Sequence, residues 1–144
     1  MRHHGFTLIE LLVTIAVMAI IATIALPGFQ SMMASNRVAS DHNEILSGLN
    51  YARSEAIKRR EHVTFKAEET APWTYEVSAG NTVLRFRNGA SHVIGVSGDL
   101  EISFNSRGRV ESPACIGGCS ITIHHASADD KTVNISRFGR VGRG

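Results

Sequence analysis

The segment Gly5-Phe6-Thr7-Leu8-Ile9-Glu10 begins an apolar run that continues to Leu26 and is the strongest structural signal in the sequence. Residues 6–26 contain a single charged side chain, that of Glu10. Because about 20 mostly apolar residues suffice for a helix to cross a bilayer, the run predicts one membrane-spanning helix. The short segment ahead of it is basic, and positive charge stays on the cytoplasmic side, so the rest of the chain is predicted to lie outside.

The position of Gly5 ahead of the apolar run distinguishes this N-terminus from a conventional signal peptide. A conventional signal peptide is cut after its apolar region, at a small-x-small site. Cleavage after Gly5 would instead remove residues 1–5 and leave the helix on the mature protein.

Glu10 is an unusual residue for a spanning helix, because a carboxylate there costs about 2.5–3.5 kcal/mol on insertion scales. A nearby positive charge would offset that cost. The amine freed at Phe6 lies one helical turn away, and the amine of a neighbouring subunit is a second candidate. The plainer alternative is a glutamate near the interface that snorkels to water.

The segment Gly5-Phe6-Thr7-Leu8-Ile9-Glu10 resembles the class III signal of type IV prepilins and type II secretion pseudopilins. The resemblance implies that a prepilin peptidase cuts between Gly5 and Phe6, that the new Phe6 amine is methylated, and that Glu10 acts in subunit recruitment or register. It also implies a single-pass inner membrane protein with a periplasmic head, which later joins an extracellular pilus or a periplasmic pseudopilus. Pro27 fits as well, since many pilins carry a helix-softening proline near this depth.

The remainder of the chain changes from helical to strand periodicity. Residues 29–61 are predicted to continue the helix, because Val38, Ile45 and Leu49 fall on one apolar stripe. From residue 62 the apolar pattern has period two and is broken by turn signals, which predicts about seven short strands. The predicted strands are marked by Val63/Phe65, Tyr75/Val77, Val83/Leu84/Phe86, Val93/Ile94/Val96, Leu100/Ile102/Phe104, Ile121/Ile123 and Val133/Ile135.

The predicted fold class is therefore α+β, with a long N-terminal helix packed on a head of two small antiparallel sheets. The predicted divisions are a leader at residues 1–5, a transmembrane and filament-core half-helix at residues 6–28, an amphipathic half-helix at residues 29–61, and a β-rich head with an arginine-rich tail at residues 62–144.

Several segments of the head resemble the FimT/GspH group of minor pilins, and together they cover nearly the whole chain. They are the helix end at residues 49–63, Pro72-Trp73, the Ile102-Ser-Phe104-Asn-Ser-Arg-Gly108 segment, and the closing residues 133–141. Trp73 and Phe104 are predicted to be core aromatics, because aromatic side chains dominate small cores.

Cys115 and Cys119 flank a flexible Gly117-Gly118 pair. In an oxidising compartment this spacing favours a small disulfide loop. Half of a metal site and two free thiols are the alternatives, with His124 and His125 the nearest further ligands.

The composition does not indicate an enzyme. The sequence lacks a nucleophile elbow, a Walker loop and a zinc-protease motif, so no catalytic residue, cofactor, metal or small-molecule substrate is predicted. The formal net charge of +2 does not by itself predict nucleic-acid binding, so anion binding requires a local patch.

The C-terminal segment Gly139-Arg140-Val141-Gly142-Arg143-Gly144 is the strongest candidate for such a patch, with Arg137 and Phe138 just ahead of it. Arginine matches phosphate bidentately, and glycine permits close backbone approach. Such a segment can follow a DNA backbone without reading its sequence. Phe138 would either stack on a base or pack inward.

In DNA-uptake members of the FimT group, a C-terminal Gly-Arg-x-Arg motif is implicated in DNA binding. Here Gly142 is inserted, so Arg140 and Arg143 are one residue further apart and would point to opposite faces of an extended segment. A bend at Gly142 would restore a shared face. The alternatives for these arginines are a frayed, solvated terminus and contacts with a neighbouring pilin.

Other basic residues are weaker candidates for DNA contact. Lys58, Arg59 and Arg60 also suit the negative end of the helix dipole, which is the simpler explanation. Arg85 and Arg87, with Arg107 and Arg109, would enlarge the patch if they lie on the same side as the tail.

Two functions remain open at this point. The first is a minor pilin of a type IV pilus that binds DNA non-specifically for uptake in natural transformation. The alternative is a structural minor pilin or a type II secretion pseudopilin that primes filament assembly without binding DNA. The expected partners are the prepilin peptidase, other major and minor pilins in a filament, DNA, and the inner membrane before assembly.

Overall fold

The computed structural model describes residues 6–89 and 93–144, which contain one long helix and eight strands. Residues Ala34–Gly144 form one compact unit, the head, and the chain up to Met33 forms another. The elements are α1 (Leu8–Arg59), β1 (Val63–Glu68), β2 (Thr74–Ala79), β3 (Thr82–Asn88), β4 (Ile94–Gly98), β5 (Glu101–Phe104), a 3-10 turn (Pro113–Cys115), β6 (Cys119–His125), β7 (Ala128–Ile135) and β8 (Val141–Arg143).

Helix α1 is continuous through Pro27. Among the described residues it is the one helix long and apolar enough to cross a membrane, and its most apolar stretch is not buried. Hydroxyl groups within that stretch are satisfied locally, since Thr14 Oγ1 and Thr23 Oγ1 donate to backbone carbonyls three residues earlier. The helix ends at Arg59, two residues before the predicted boundary at residue 61, because Arg60 adopts a left-handed φ of 57°.

The strands form two four-stranded antiparallel sheets, ordered β3-β2-β1-β5 and β4-β6-β7-β8. This confirms the predicted α+β fold with two small sheets. The seven predicted strands are present, and sequence reasoning missed the eighth, β8. That strand has only three residues, and Gly142 at its centre interrupts the apolar alternation that would have marked it.

The apolar stripe of α1 packs against both sheets in a core that lies entirely within the head, so this unit carries its own core. Trp73 and Phe104 are buried there, which confirms their prediction as core aromatics. Close approach of helix and sheet depends on Gly48, because a Cβ at this position would lie 2.7 Å from Tyr75 Cζ. The fully buried residues of the stripe are Val38, Ile45, Leu49, Ala52 and Ala56.

Two polar contacts also join the helix to the first sheet. Trp73 Nε1 donates to Asp41 Oδ2 at 2.8 Å, and the Tyr75 hydroxyl donates to Glu44 Oε1 at 2.8 Å. Burial raises the pKa of Asp41 even though the Trp73 hydrogen bond opposes that shift, and Glu44 raises it further. Burial and the bond to Glu44 likewise raise the pKa of Tyr75.

Asp41 therefore makes stability depend on pH in an unusual direction. The folded protein holds this proton more tightly than the unfolded chain, so its contribution to stability falls as pH rises from the ordinary value of 3.8 through the folded-state pKa. Asp41→Asn keeps an oxygen acceptor for Trp73 but does not titrate. We expect thermal unfolding to show a smaller loss of stability in this variant than in wild type over that pH rise.

The matched variant Asp41→Ala leaves the buried Trp73 N–H without its partner and is expected to lose about 1–3 kcal/mol at every pH. If the stabilities of wild type and Asp41→Asn change with pH in parallel, the assignment of this pH dependence to Asp41 is contradicted.

Candidate nucleic-acid interface

Two loops with similar sequences lie side by side at the edges of the two sheets. One contains Ser106-Arg107-Gly108-Arg109 and follows β5, the edge strand of the first sheet. The other is Ser136-Arg137-Phe138-Gly139-Arg140, which connects β7 to β8, the edge strand of the second sheet. We call residues 105–110 and 136–140 the paired arginine loops.

Glycines join the two loops. Gly108 and Gly139 have φ angles of 71° and 77°, a region that L side chains rarely adopt. Gly139 is buried, and a Cβ added to it would collide with the carbonyl oxygen of Gly108. The backbone N–H of Val110 also donates to the Arg137 carbonyl at 3.2 Å, so the loops form one surface.

Local hydrogen bonds fix the shape of each loop. Asn105 Oδ1 accepts from the backbone N–H groups of Arg107 and Arg109 at 2.9 and 3.0 Å. Ser136 Oγ accepts from the backbone N–H of Arg140 at 3.1 Å. Such short polar side chains stabilise turns by replacing backbone partners.

Helix α1 contributes to the same structure through Arg53, whose Nε donates to the Gly108 carbonyl at 3.2 Å. The loops are thus held to the head, and their orientation is set by its packing.

The surface formed by the loops is positively charged. Arg107, Arg109 and Arg137 line one hollow of about 280 Å³ together with Phe138. The one carboxylate among the lining residues is Glu111, which accepts a hydrogen bond from Asn105 Nδ2 at 2.7 Å and lies 3.4 Å from His62 Nδ1. Arg140 is exposed on the same turn as Arg137.

Arg143 belongs to a different part of the head. It pairs with Val133 across β7 and β8, so both residues lie on the same face of the sheet. Its Nη2 donates to Asn43 Oδ1 of the helix at 3.3 Å, and it lines a separate hollow of about 440 Å³.

Residues 141–143 form strand β8, which continues through Gly142. The backbone N–H of Gly144, just after the strand, donates to the Thr132 carbonyl at 2.8 Å. Residues 141–143 are thus extended, and a bend at Gly142 does not bring Arg143 back to Arg140. The alternative of a frayed terminus does not describe this strand.

Arg85 and Arg87 lie away from the paired arginine loops. Both are on β3, at the opposite edge of the first sheet from β5. Arg85 Nη2 is 2.9 Å and Arg87 Nε is 3.6 Å from Glu44 Oε1, so this carboxylate already neutralises part of their charge.

The basic residues at the end of the helix also have an acidic partner. Lys58 Nζ and Arg59 Nε lie 3.3 and 2.7 Å from the carboxylate oxygens of Glu55, and the Arg59 guanidinium lowers the pKa of that carboxyl. Arg60 is exposed just beyond the last helical residue.

The remaining predicted sites lie elsewhere. Cys115 and Cys119 are joined in a disulfide and are buried. Gly5 falls outside the described residues. Phe6 and Glu10 are exposed, and the backbone N–H of Glu10 lies 3.3 Å from Thr7 Oγ1.

Sequence reasoning treated Arg107 and Arg109 as conditional additions, yet the structure brings them next to Arg137. A signal was present in the sequence, because both loops contain serine, arginine, glycine and arginine in that order, with Phe138 as one extra residue in the second loop. Only the fold shows that the two copies lie together.

Comparisons with known proteins agree with this architecture. Residues 1–26 match the prokaryotic N-terminal methylation motif, and residues 41–139 match the type II transport protein GspH. A fimbrial protein of Pseudomonas aeruginosa is 28% identical over 116 residues, which cover 81% of this chain and 70% of that protein.

Solved structures show the same fold. The crystal structure of the type IV minor pilin FimU from Pseudomonas aeruginosa PAO1 in space group P21 matches with a TM-score of 0.64 and 19% identity, covering 76% of this chain and 89% of that one. A second FimU crystal form, P65, gives a TM-score of 0.62 at 19% identity, covering 74% and 91%.

A long N-terminal helix with a methylation motif and a head of two small antiparallel sheets define a pilin-like protein. Because the match to the type II transport protein GspH spans more than half of the sequence, the chain belongs to the GspH family. This confirms the resemblance to the FimT/GspH group found in the sequence. The family is one of structural pilins, which implies assembly with other pilins and processing by a prepilin peptidase, and the apolar helix fits a membrane-anchored pilin.

Proposed function

We propose that this chain is a minor pilin of a type IV pilus that binds DNA without sequence preference and serves DNA uptake in natural transformation. The observation that carries the proposal is the convergence of Arg107, Arg109 and Arg137 on one hollow, with Glu111 as the one carboxylate among its lining residues. A surplus of guanidinium groups held on a fixed surface is suited to phosphate oxygens.

The N-terminal half of the proposal concerns processing and assembly. The chain is cleaved after Gly5 and methylated at Phe6, and Glu10 guides its entry into the filament. Residues 6–28 lie in the inner membrane before assembly and in the filament core afterwards. Residues 29–61 complete the helix, and residues 62–144 form the β-rich part of a periplasmic head.

The DNA-binding surface combines predicted and newly recognised residues. Arg137 and Arg140 come from the predicted tail, and Arg107 and Arg109 join them from the second loop. Arg143 is left out, because its guanidinium faces the helix side of the sheet and bonds to Asn43.

The paired arginine loops are expected to contact phosphates rather than base edges. Four arginines on two short loops can neutralise phosphates, but residues 105–109 and 136–140, all of which the structure describes, contain no helix or β-ribbon that could enter the major groove. Binding by one head is therefore weak and salt-dependent, and several subunits in a filament would add avidity.

The test is a titration of the full chain, in non-ionic detergent, with AT-rich and GC-rich duplexes of equal length. We expect equal affinities and a log–log salt slope of about −3.6, since each of four phosphate contacts contributes about −0.9. Salt-independent binding, or a strong preference for one duplex, would contradict the electrostatic mechanism. If wild type does not bind at low salt, the structural alternative of a non-binding pilin or a type II secretion pseudopilin is supported instead.

A further inference from the structure

Phe138 is a large apolar side chain displayed in the middle of a charged surface. Two thirds of it, 67%, is exposed, although the aromatic residues Phe65, Trp73 and Tyr75 of the same head are buried. The sequence allowed Phe138 to pack inward or to face a ligand, and the structure shows that it faces outward. An exposed aromatic ring among arginines is not explained by phosphate contacts.

The ring is held in a defined position. Phe138 lies in a turn closed by a hydrogen bond from Gly139 N to the Ser136 carbonyl at 2.7 Å, and Gly139 is buried against the other loop. The Arg109 guanidinium carbon lies 5.6 Å from the ring centre, within the range of a cation–π contact. The ring is thus presented at the edge of the hollow with a guanidinium against it.

From this arrangement we propose that Phe138 is a stacking platform for an unpaired base, so that the paired arginine loops bind single-stranded DNA through both its phosphates and one of its bases. The inference rests on the proposed function and adds to the phosphate contacts, which duplex and single strand share, a base contact that only an unpaired strand offers. Proteins that hold single strands without sequence preference combine a basic groove with exposed aromatic side chains. In an intact duplex the bases are stacked on each other and do not offer a free face to Phe138.

Affinities for two single strands of equal length distinguish the phosphate contribution to binding from the base contribution. One is an oligothymidylate, and the other has the same backbone without bases. Wild type in non-ionic detergent, at fixed salt, is expected to bind the oligothymidylate about tenfold more tightly, as is typical of one base–aromatic stack. Phe138→Leu should remove that difference. Phe138→Tyr, which keeps an aromatic ring, should retain the difference.

Phe86 offers a matched control. It is 55% exposed and lies between two arginines, Arg85 and Arg87, but it is on β3 and outside the paired loops. Phe86→Leu is expected to change neither affinity.

The outcomes distinguish this inference from the proposed function. If wild type binds both single strands equally, or Phe138→Leu keeps the difference, the stacking inference is overturned while DNA binding stands. If wild type binds no DNA at all, both fail together. Equal thermal unfolding of the variants shows that any change does not come from loss of the fold.

Discussion

Gly139→Ala is expected to destabilise the head by about 2–5 kcal/mol, because a left-handed φ costs an L residue about 1–2 kcal/mol and forced overpacking typically adds about 1–3. Both conditions hold at this position. The φ of Gly139 is 77°, and an added Cβ would collide with the Gly108 carbonyl. The obstacle is backbone, and Arg53 holds it in place through a hydrogen bond to the same oxygen, so relaxation is restricted.

Gly142→Ala is the matched control for this prediction. A Cβ at Gly142 meets nothing within 4 Å, and no left-handed φ is found there. We expect its stability to stay within about 0.5 kcal/mol of wild type, as for surface substitutions generally. Thermal unfolding followed through the near-ultraviolet signal of the buried Trp73 compares the two variants. Equal stabilities for Gly139→Ala and Gly142→Ala would show that the loops are not joined through these glycines.

The second large effect concerns DNA affinity. The double variant Arg107→Gln/Arg137→Gln removes one guanidinium from each loop. Two hydrogen bonds to charged groups, at about 1.5 kcal/mol each, correspond to a loss of roughly 100-fold in affinity. The reason is that both side chains line the same hollow, where Glu111 is the one carboxylate that could take the place of a phosphate as their partner. Binding of duplex by the full chain, measured by fluorescence anisotropy at low salt, checks the expectation.

Arg85→Gln/Arg87→Gln changes the net charge by the same amount at the opposite edge of the sheet. These arginines are partly neutralised by Glu44, so their removal is expected to change DNA affinity by less than about threefold, an effect of general charge alone. If this variant loses as much affinity as the loop variant, binding follows net charge and not the paired arginine loops. Thermal unfolding of each variant is measured alongside, because Arg85 also contacts Tyr51.

Much of the fold follows from local patterns in the sequence. The apolar run to Leu26 predicts the helix, and the stripe through Val38, Ile45 and Leu49 predicts which face is buried. Alternation predicts seven strands, and at least two apolar residues are buried in each of them except β3, where Val83 and Phe86 are exposed. These features depend on neighbours within a few residues, so the sequence displays them directly.

The arrangement of the candidate site depends instead on contacts between distant residues. Strand β8 is too short to show a period, and it exists because Val141 pairs with Ile135. The direction of Arg143 follows from its register opposite Val133. Likewise, the need for glycine at Gly139 arises from the carbonyl of Gly108 in another loop. None of these relations is visible until the two sheets are assembled.

The central claim, that the paired arginine loops hold the DNA backbone, is tested most directly by the salt dependence of duplex binding for wild type and Arg107→Gln/Arg137→Gln side by side. Each phosphate contact contributes about −0.9 to the log–log slope, so the wild-type slope is predicted to be steeper by about 1.8. Identical slopes for the two proteins would contradict the claim, because the removed arginines would then make no contact with phosphate.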